Sequence, residues 1–93
     1  MFVGVIRVQL HFPQVGSLKG KRKILKSLKD RIKNKFNVSV AELENHDLWQ
    51  SSVIGIVIIS NDKNFANSVL SKISDFVNSQ PEIVVSDIQM EWR

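Results

Sequence analysis

The 93-residue chain contains no cysteine, which excludes disulfides, thiolate zinc sites and thiol catalysis together. That absence suits a reducing compartment. No apolar run approaches the ~20 residues that a bilayer-crossing helix needs. The opening MFVGVIRVQLHF lacks a basic leader and a small-residue cleavage site, so it reads as folded structure and not as a signal peptide. Four glycines and two prolines leave no linker, repeat or low-complexity tract. These absences predict one cytoplasmic domain over residues 1–93. A chain of this length buries roughly 65% of its unfolded surface, enough to fold without covalent staples.

Acid is also scarce where base is abundant. Nine of the thirteen Lys and Arg residues fall within residues 19–35, where the only acid is Asp30. That segment carries +8 (nine basic, one acidic) and the rest of the chain −4 (four basic, eight acidic). The net charge of +4 is therefore a property of one element.

The hydrophobic pattern assigns the elements. Residues 2–12 alternate, with Phe2, Ile6, Val8, Leu10 and Phe12 on one parity, which predicts a half-buried strand. Pro13 and Gly16 break it. Ser17 suits an N-cap, followed by a helix to about Lys35 or Phe36. Leu18, Ile24, Leu25, Leu28, Ile32 and Phe36 share one side of that helix, and Arg22, Lys26, Lys29 and Lys33 share the opposite side. A short strand follows over residues 37–43, then the polar loop ENHDLWQ. Residues 53–59 (VIGIVII) are apolar on both parities, as in a mid-sheet strand. Asn61 or Asp62 can cap a second helix bearing Phe65, Val69, Ile73, Phe76 and Val77. Residues 83–92 alternate again, with Val84, Ile88, Met90 and Trp92 on one parity. The order β-α-β-β-α-β predicts an α+β, ferredoxin-like split βαβ fold. Right-handed crossovers put both helices on one face of a four-stranded antiparallel sheet in the order four, one, three, two.

The basic helix is costly as a merely solvated surface. Four like-charge pairs stand at i,i+4 (Lys19/Lys23, Arg22/Lys26, Lys29/Lys33, Arg31/Lys35) and three at i,i+3 (Lys19/Arg22, Lys23/Lys26, Lys26/Lys29). At about 0.2–0.5 kcal/mol each they oppose the helix by about 1.5–3.5 kcal/mol before screening. Lys19, Lys21, Arg22 and Lys23 also crowd the N-terminal end, where the helix dipole disfavours cations. A bound polyanion answers both objections. The pattern specifies charge and names no sequence.

Other modules that share this topology fit less well. An RNA-recognition motif stacks bases on aromatics of its central strands, and VIGIVII has none. There is no GXXG clamp of the KH type. Acylphosphatases bind phosphate in the first β-α loop, and PQVGSLKGKR is basic with two glycines, but no nucleophile is paired with a base. The candidate metal ligands are His11 and His46 with Glu44, Asp47 and Asp62. No pair has helical ligand spacing, and neither a metal nor a cofactor is expected. On the sheet face away from the helices, Val3, Val5, Arg7, Gln9 and His11 point outward with one parity of the third strand. An uncovered apolar face of this kind suggests a homodimer or a protein partner, with Trp49 of the loop at its margin.

Ser17-Leu18-Lys19, Lys21-Arg22, residues 35–42 (KFNVSVAE) and Asp47-Leu48-Trp49 carry a resemblance to the YlxP-like family of small bacterial proteins of uncharacterised function. The resemblance covers essentially the whole chain. It implies a ferredoxin-like fold and a genomic setting beside translation-initiation and ribosome-maturation genes, and it implies no catalytic residues. Gly20 stands where the family often has a polar or charged residue, which loosens the first helical turn. The leading expectation is a protein that binds RNA or the ribosome through Arg22, Lys26, Lys29 and Lys33, with Lys19, Lys21 and Lys23 gripping near the helix start. The alternative is a protein–protein module, dimeric through Val3, Val5 and Trp49 and meeting an acidic partner with its basic helix. A small phosphate-handling enzyme of acylphosphatase-like topology ranks third.

Overall fold

The structure is a computed structural model that describes residues 1–93. Its elements run β1 (Phe2–His11), α1 (Leu18–Lys35), β2 (Ser39–Glu44), β3 (Ser51–Ser60), α2 (Lys63–Asn78) and β4 (Val84–Trp92). The sheet order is β2-β3-β1-β4 with every neighbouring pair antiparallel. This is the ferredoxin-like arrangement that the alternation predicts. β1 and β3 form the centre of the sheet in unbroken register from Phe2↔Ser60 to His11↔Ser51.

One core lies between the helices and one sheet face. Leu25, Leu28 and Ile32 of α1 and Ala66, Leu70, Ile73 and Val77 of α2 pack against Ile6, Val8, Leu10, Ile54, Ile56 and Ile58. The helices begin where the chain signals it. Ser17 Oγ accepts from the Gly20 N–H at 3.0 Å, and Asp62 Oδ1 accepts from the Phe65 N–H at 3.0 Å. Each cap satisfies a donor that the first turn leaves unpaired.

Three elements differ from the sequence reading, among them β3, which starts at Ser51 and not at residue 53. β2 starts at Ser39, two residues later than the β-branched pattern suggests, because Val38 closes a tight turn onto the Phe36 carbonyl. In β4 the inward parity changes midway. A bulge pairs Gln9 with Asp87 but Leu10 with Val85, leaving Ser86 out of the register with its hydroxyl donating to the Gln9 carbonyl at 3.3 Å. Val85, Ile88 and Trp92 therefore face the core, and Val84 is turned out to solvent. An extra residue in a strand flips every side chain beyond it, which simple alternation cannot register.

Candidate nucleic-acid interface

α1 lies along the β2 side of the sheet, and the line of contact leaves a cleft. Arg22, Lys26, Lys29 and Lys33 form its helix wall, Leu25 and Asp30 also line it, and Glu42 of β2 closes the other side. The cleft holds about 430 Å³. The four cations on one helical face thus converge on a single opening. Over the eleven steps from Arg22 to Lys33 they span roughly 16 Å at about 1.5 Å per residue. A positive side chain recurs about every turn, a spacing suited to successive phosphates of an extended strand. Arg22, Lys26 and Lys33 are exposed and Lys29 is half-buried.

Their charge is only partly neutralised. Lys26 Nζ donates to Asp30 Oδ2 at 2.8 Å, with both groups at the surface. That hydrogen bond and attraction raise the Lys26 ammonium above its ordinary value and lower the Asp30 carboxyl. Arg22, Lys29 and Lys33 make no ion pair or side-chain hydrogen bond within the chain. Lys19 and Lys23 are exposed on the helix but lie outside the cleft. Arg31 and Lys35 are occupied between the helices. They sit 5.4 Å and 4.5 Å from the Phe76 ring centre, and Arg31 Nη2 donates to Gln80 Oε1 at 2.7 Å.

Lys21 corrects the sequence reading. Grouped there with the phosphate-gripping cations, it has 0% exposure. Its ammonium donates to the Asn45 carbonyl at 2.5 Å and lies 3.0 Å from Glu42 Oε2. Position 21 is one turn before Leu25 and shares its core-facing side, so the long side chain runs inward beneath α1. An ammonium this enclosed cannot meet an external phosphate.

What sequence reasoning missed is the polar cluster that Lys21 organises. Ser52, itself buried, donates its hydroxyl to Glu42 Oε2 at 2.6 Å. Burial pushes the Glu42 carboxyl up, but the Ser52 hydroxyl and the Lys21 ammonium more than offset it, so Glu42 titrates below its ordinary value of 4.5. His46 Nε2 stands 3.9 Å from the other carboxylate oxygen. Asn45 adopts φ 67°, a left-handed turn that asparagine tolerates. From there its carbonyl accepts from both Lys21 and the Leu48 N–H. Glu42 thus faces the cleft as a carboxylate already engaged from within.

The residues proposed for a protein interface do not form one patch. Val3 pairs with Ile59 and Val5 with Val57, near one end of the sheet. Trp49 is near the other end, in the 45–50 loop beside the His11↔Ser51 pair. Eight residues of strand separate the ends, roughly 27 Å. Around Val5, a shallow apolar depression of about 210 Å³ is lined by Ala41, Leu43, Gly55 and Val57. Leu43 lies over Gly55 so closely that a Cβ there would meet it at 2.8 Å. No group of three or more His, Asp or Glu side chains is placed to hold a metal ion. No helix is long and apolar enough to cross a membrane.

Comparison with known proteins matches residues 3–90 to a family described as protein of unknown function, DUF503. The chain belongs to this family. It is 34% identical over 90 residues to the uncharacterised protein YlxP of Bacillus subtilis strain 168, covering 97% of this chain and 98% of that protein. Family membership therefore extends over the cleft, the Lys21 cluster and the 45–50 loop alike. Among solved structures, the de novo designed protein Foldit4 matches at TM-score 0.57 and 14% identity, covering 100% of this chain and 97% of that one. The designed protein Ferredog-Diesel matches at TM-score 0.52 and 12% identity, covering 96% and 83%. These two likenesses are of fold alone.

Proposed function

We propose that this member of the DUF503 family binds RNA by its phosphate backbone, in the cleft between α1 and β2, and acts in the cytoplasm. The observation that carries the reading is the convergence of Arg22, Lys26, Lys29 and Lys33 on one open cleft, with only Lys26 paired. Lys19 and Lys23 extend the positive surface toward the helix start. A helix selected only to stay dissolved gains by mixing Glu among its lysines, and α1 carries a single acid. The genomic setting implied by the family resemblance makes RNA of the translation machinery the natural target.

The test is the salt dependence of binding to a single-stranded RNA oligonucleotide. With about five cations on phosphates, log K falls with log salt at a slope of about −3.5, a loss of roughly 100-fold between 50 and 200 mM. Changing Arg22, Lys26, Lys29 and Lys33 together to Gln flattens the slope by about two to three units. A folded quadruple variant with the parent slope removes the cleft from the account.

A second reading, self-association, is favoured by the outer sheet face. Val57 and Ile59 are exposed there beside half-buried Val3 and Val5. Glu91 of β4 and Arg93 just after it stand opposite Val5 and Val3 and border this apolar group as an ion pair. A second copy of the same face is the partner whose apolar band matches by construction.

A further inference from the structure

We infer that Trp49 is a stacking platform for an unpaired RNA base at the Arg22 end of the cleft, an inference that rests on the RNA reading above. β1 ends, β3 begins and α1 starts at the same end of the molecule, and the 45–50 loop is held there at both of its ends. At one, the Asn45 carbonyl accepts from Lys21, the residue next to Arg22. At the other, the Phe12 N–H donates to the Gln50 carbonyl at 2.8 Å. Trp49 lies on this pinned loop and is 49% exposed. It takes no part in the core cluster.

The groove beside it holds about 420 Å³ and is lined by His11, Asp47, Leu48, Trp49, Gln50 and Ser51. One flat aromatic wall surrounded by hydrogen-bonding side chains suits a nucleobase, which has a π-face and polar edges. The carboxylate of Asp47 repels phosphate but accepts from base N–H groups. It therefore favours a base in this groove while the backbone remains with the cations of α1. β3 offers no aromatic for stacking, and the loop supplies one just before its start. His11 and Ser51 place this groove on the sheet face away from α1. The result is a two-part site in which the RNA rounds the end of the sheet, α1 holding phosphates and Trp49 taking a base.

The experiment uses the full chain and a fluorescein-labelled RNA of about eight nucleotides, within the usual range for single-strand sites. Trp49→Ala is expected to weaken binding about 5- to 100-fold, the range for loss of one stacked base, with the salt slope unchanged because no charge is lost. Trp49→Phe keeps most of the affinity. An RNA with abasic sugars binds the parent as weakly as intact RNA binds Trp49→Ala. Because Trp49 is outside the core, the thermal midpoint of Trp49→Ala stays with the parent, which separates stacking from a structural role. In a Trp92→Phe background the remaining indole fluorescence is quenched by intact RNA and not by abasic RNA. Anisotropy of the labelled RNA gives the same answer without that substitution. Parent affinity in Trp49→Ala, with the salt slope still present, overturns the inference and leaves the cleft standing. No salt-dependent binding by the parent overturns both.

Discussion

A buried ammonium is among the most expensive groups a small domain can enclose, with a desolvation penalty of several kcal/mol that only good partners offset. Lys21 meets Glu42 and the Asn45 carbonyl, and Glu42 also accepts from Ser52, so the cluster leaves no buried side-chain polar atom without a partner. Lys21→Met strands Glu42 against Ser52 and is expected to cost about 3–5 kcal/mol in urea unfolding. Replacing the cluster as a unit (Lys21→Met, Glu42→Leu, Ser52→Ala) is expected to cost less than the single change, because no charge is then left without its partner. A triple variant weaker than Lys21→Met means that the cluster stabilises by more than mutual satisfaction. The same carboxylate gives a pH dependence. Its folded value lies below the ordinary 4.5, so its contribution is fully present above about pH 4.5 and is lost as pH falls from there through the lower folded value. The stability gap between the parent and Glu42→Gln is therefore expected to narrow between pH 6 and pH 3. A gap that stays constant across that window locates the stabilisation in shape and not in charge.

At the scale of the element, α1 carries two jobs on adjoining sides, with Leu25 lining both the core and the cleft, and both follow periodicity except at Lys21. Leu25, Leu28 and Ile32 were legible as core because they recur at helical spacing, and Arg22, Lys26, Lys29 and Lys33 were legible as one face for the same reason. Lys21 was not, since residue type says surface while its position, four before Leu25, says core. The position prevails because Glu42 arrives from β2 through a contact no local window contains. The register of β4 was hidden for a similar reason, as the Ser86 bulge exists only relative to β1. That bulge, with Asp87 and Glu91 on the same strand, also guards an open sheet edge against pairing with another chain. The charge arithmetic of α1 changes as well. Lys26 gains Asp30 as a partner, so the quadruple Gln variant relieves five of the seven like-charge pairs (Arg22/Lys26, Lys29/Lys33, Lys19/Arg22, Lys23/Lys26 and Lys26/Lys29) but loses one attraction. Its unfolding free energy is expected to gain about 1 kcal/mol at low salt and to lose no more than about 0.5 kcal/mol where salt screens the pairs, because exposed pairs of either sign are worth little each. A larger loss shows that one of the four holds α1 in place, and binding data from that variant then report folding as well as contact.

At the scale of the molecule, the two sides of the sheet carry different surfaces. The helix side presents the cationic cleft, and the outer side presents Val3, Val5, Val57 and Ile59 together near one end. Further along that face the surface turns polar, where Arg7 pairs with Glu44 and Gln9 lies beside it. An isologous contact between two copies would bury the apolar end and leave both clefts facing away from each other, free to bind. Sedimentation equilibrium at tens of micromolar is expected to give a mass near twice the 10.6 kDa protomer, shifting toward one protomer on dilution. Ile59 is the position to change, since it is 65% exposed in the free chain and a charge there costs the fold little. In the dimer the same charge would be enclosed without a partner. Ile59→Lys is therefore expected to sediment as a monomer with unchanged circular dichroism. Its salt slope with RNA should match the parent's, because the cleft is on the other side of the sheet. A parent that sediments as one protomer at every concentration removes self-association, and an Ile59→Lys dimer moves the contact away from this face.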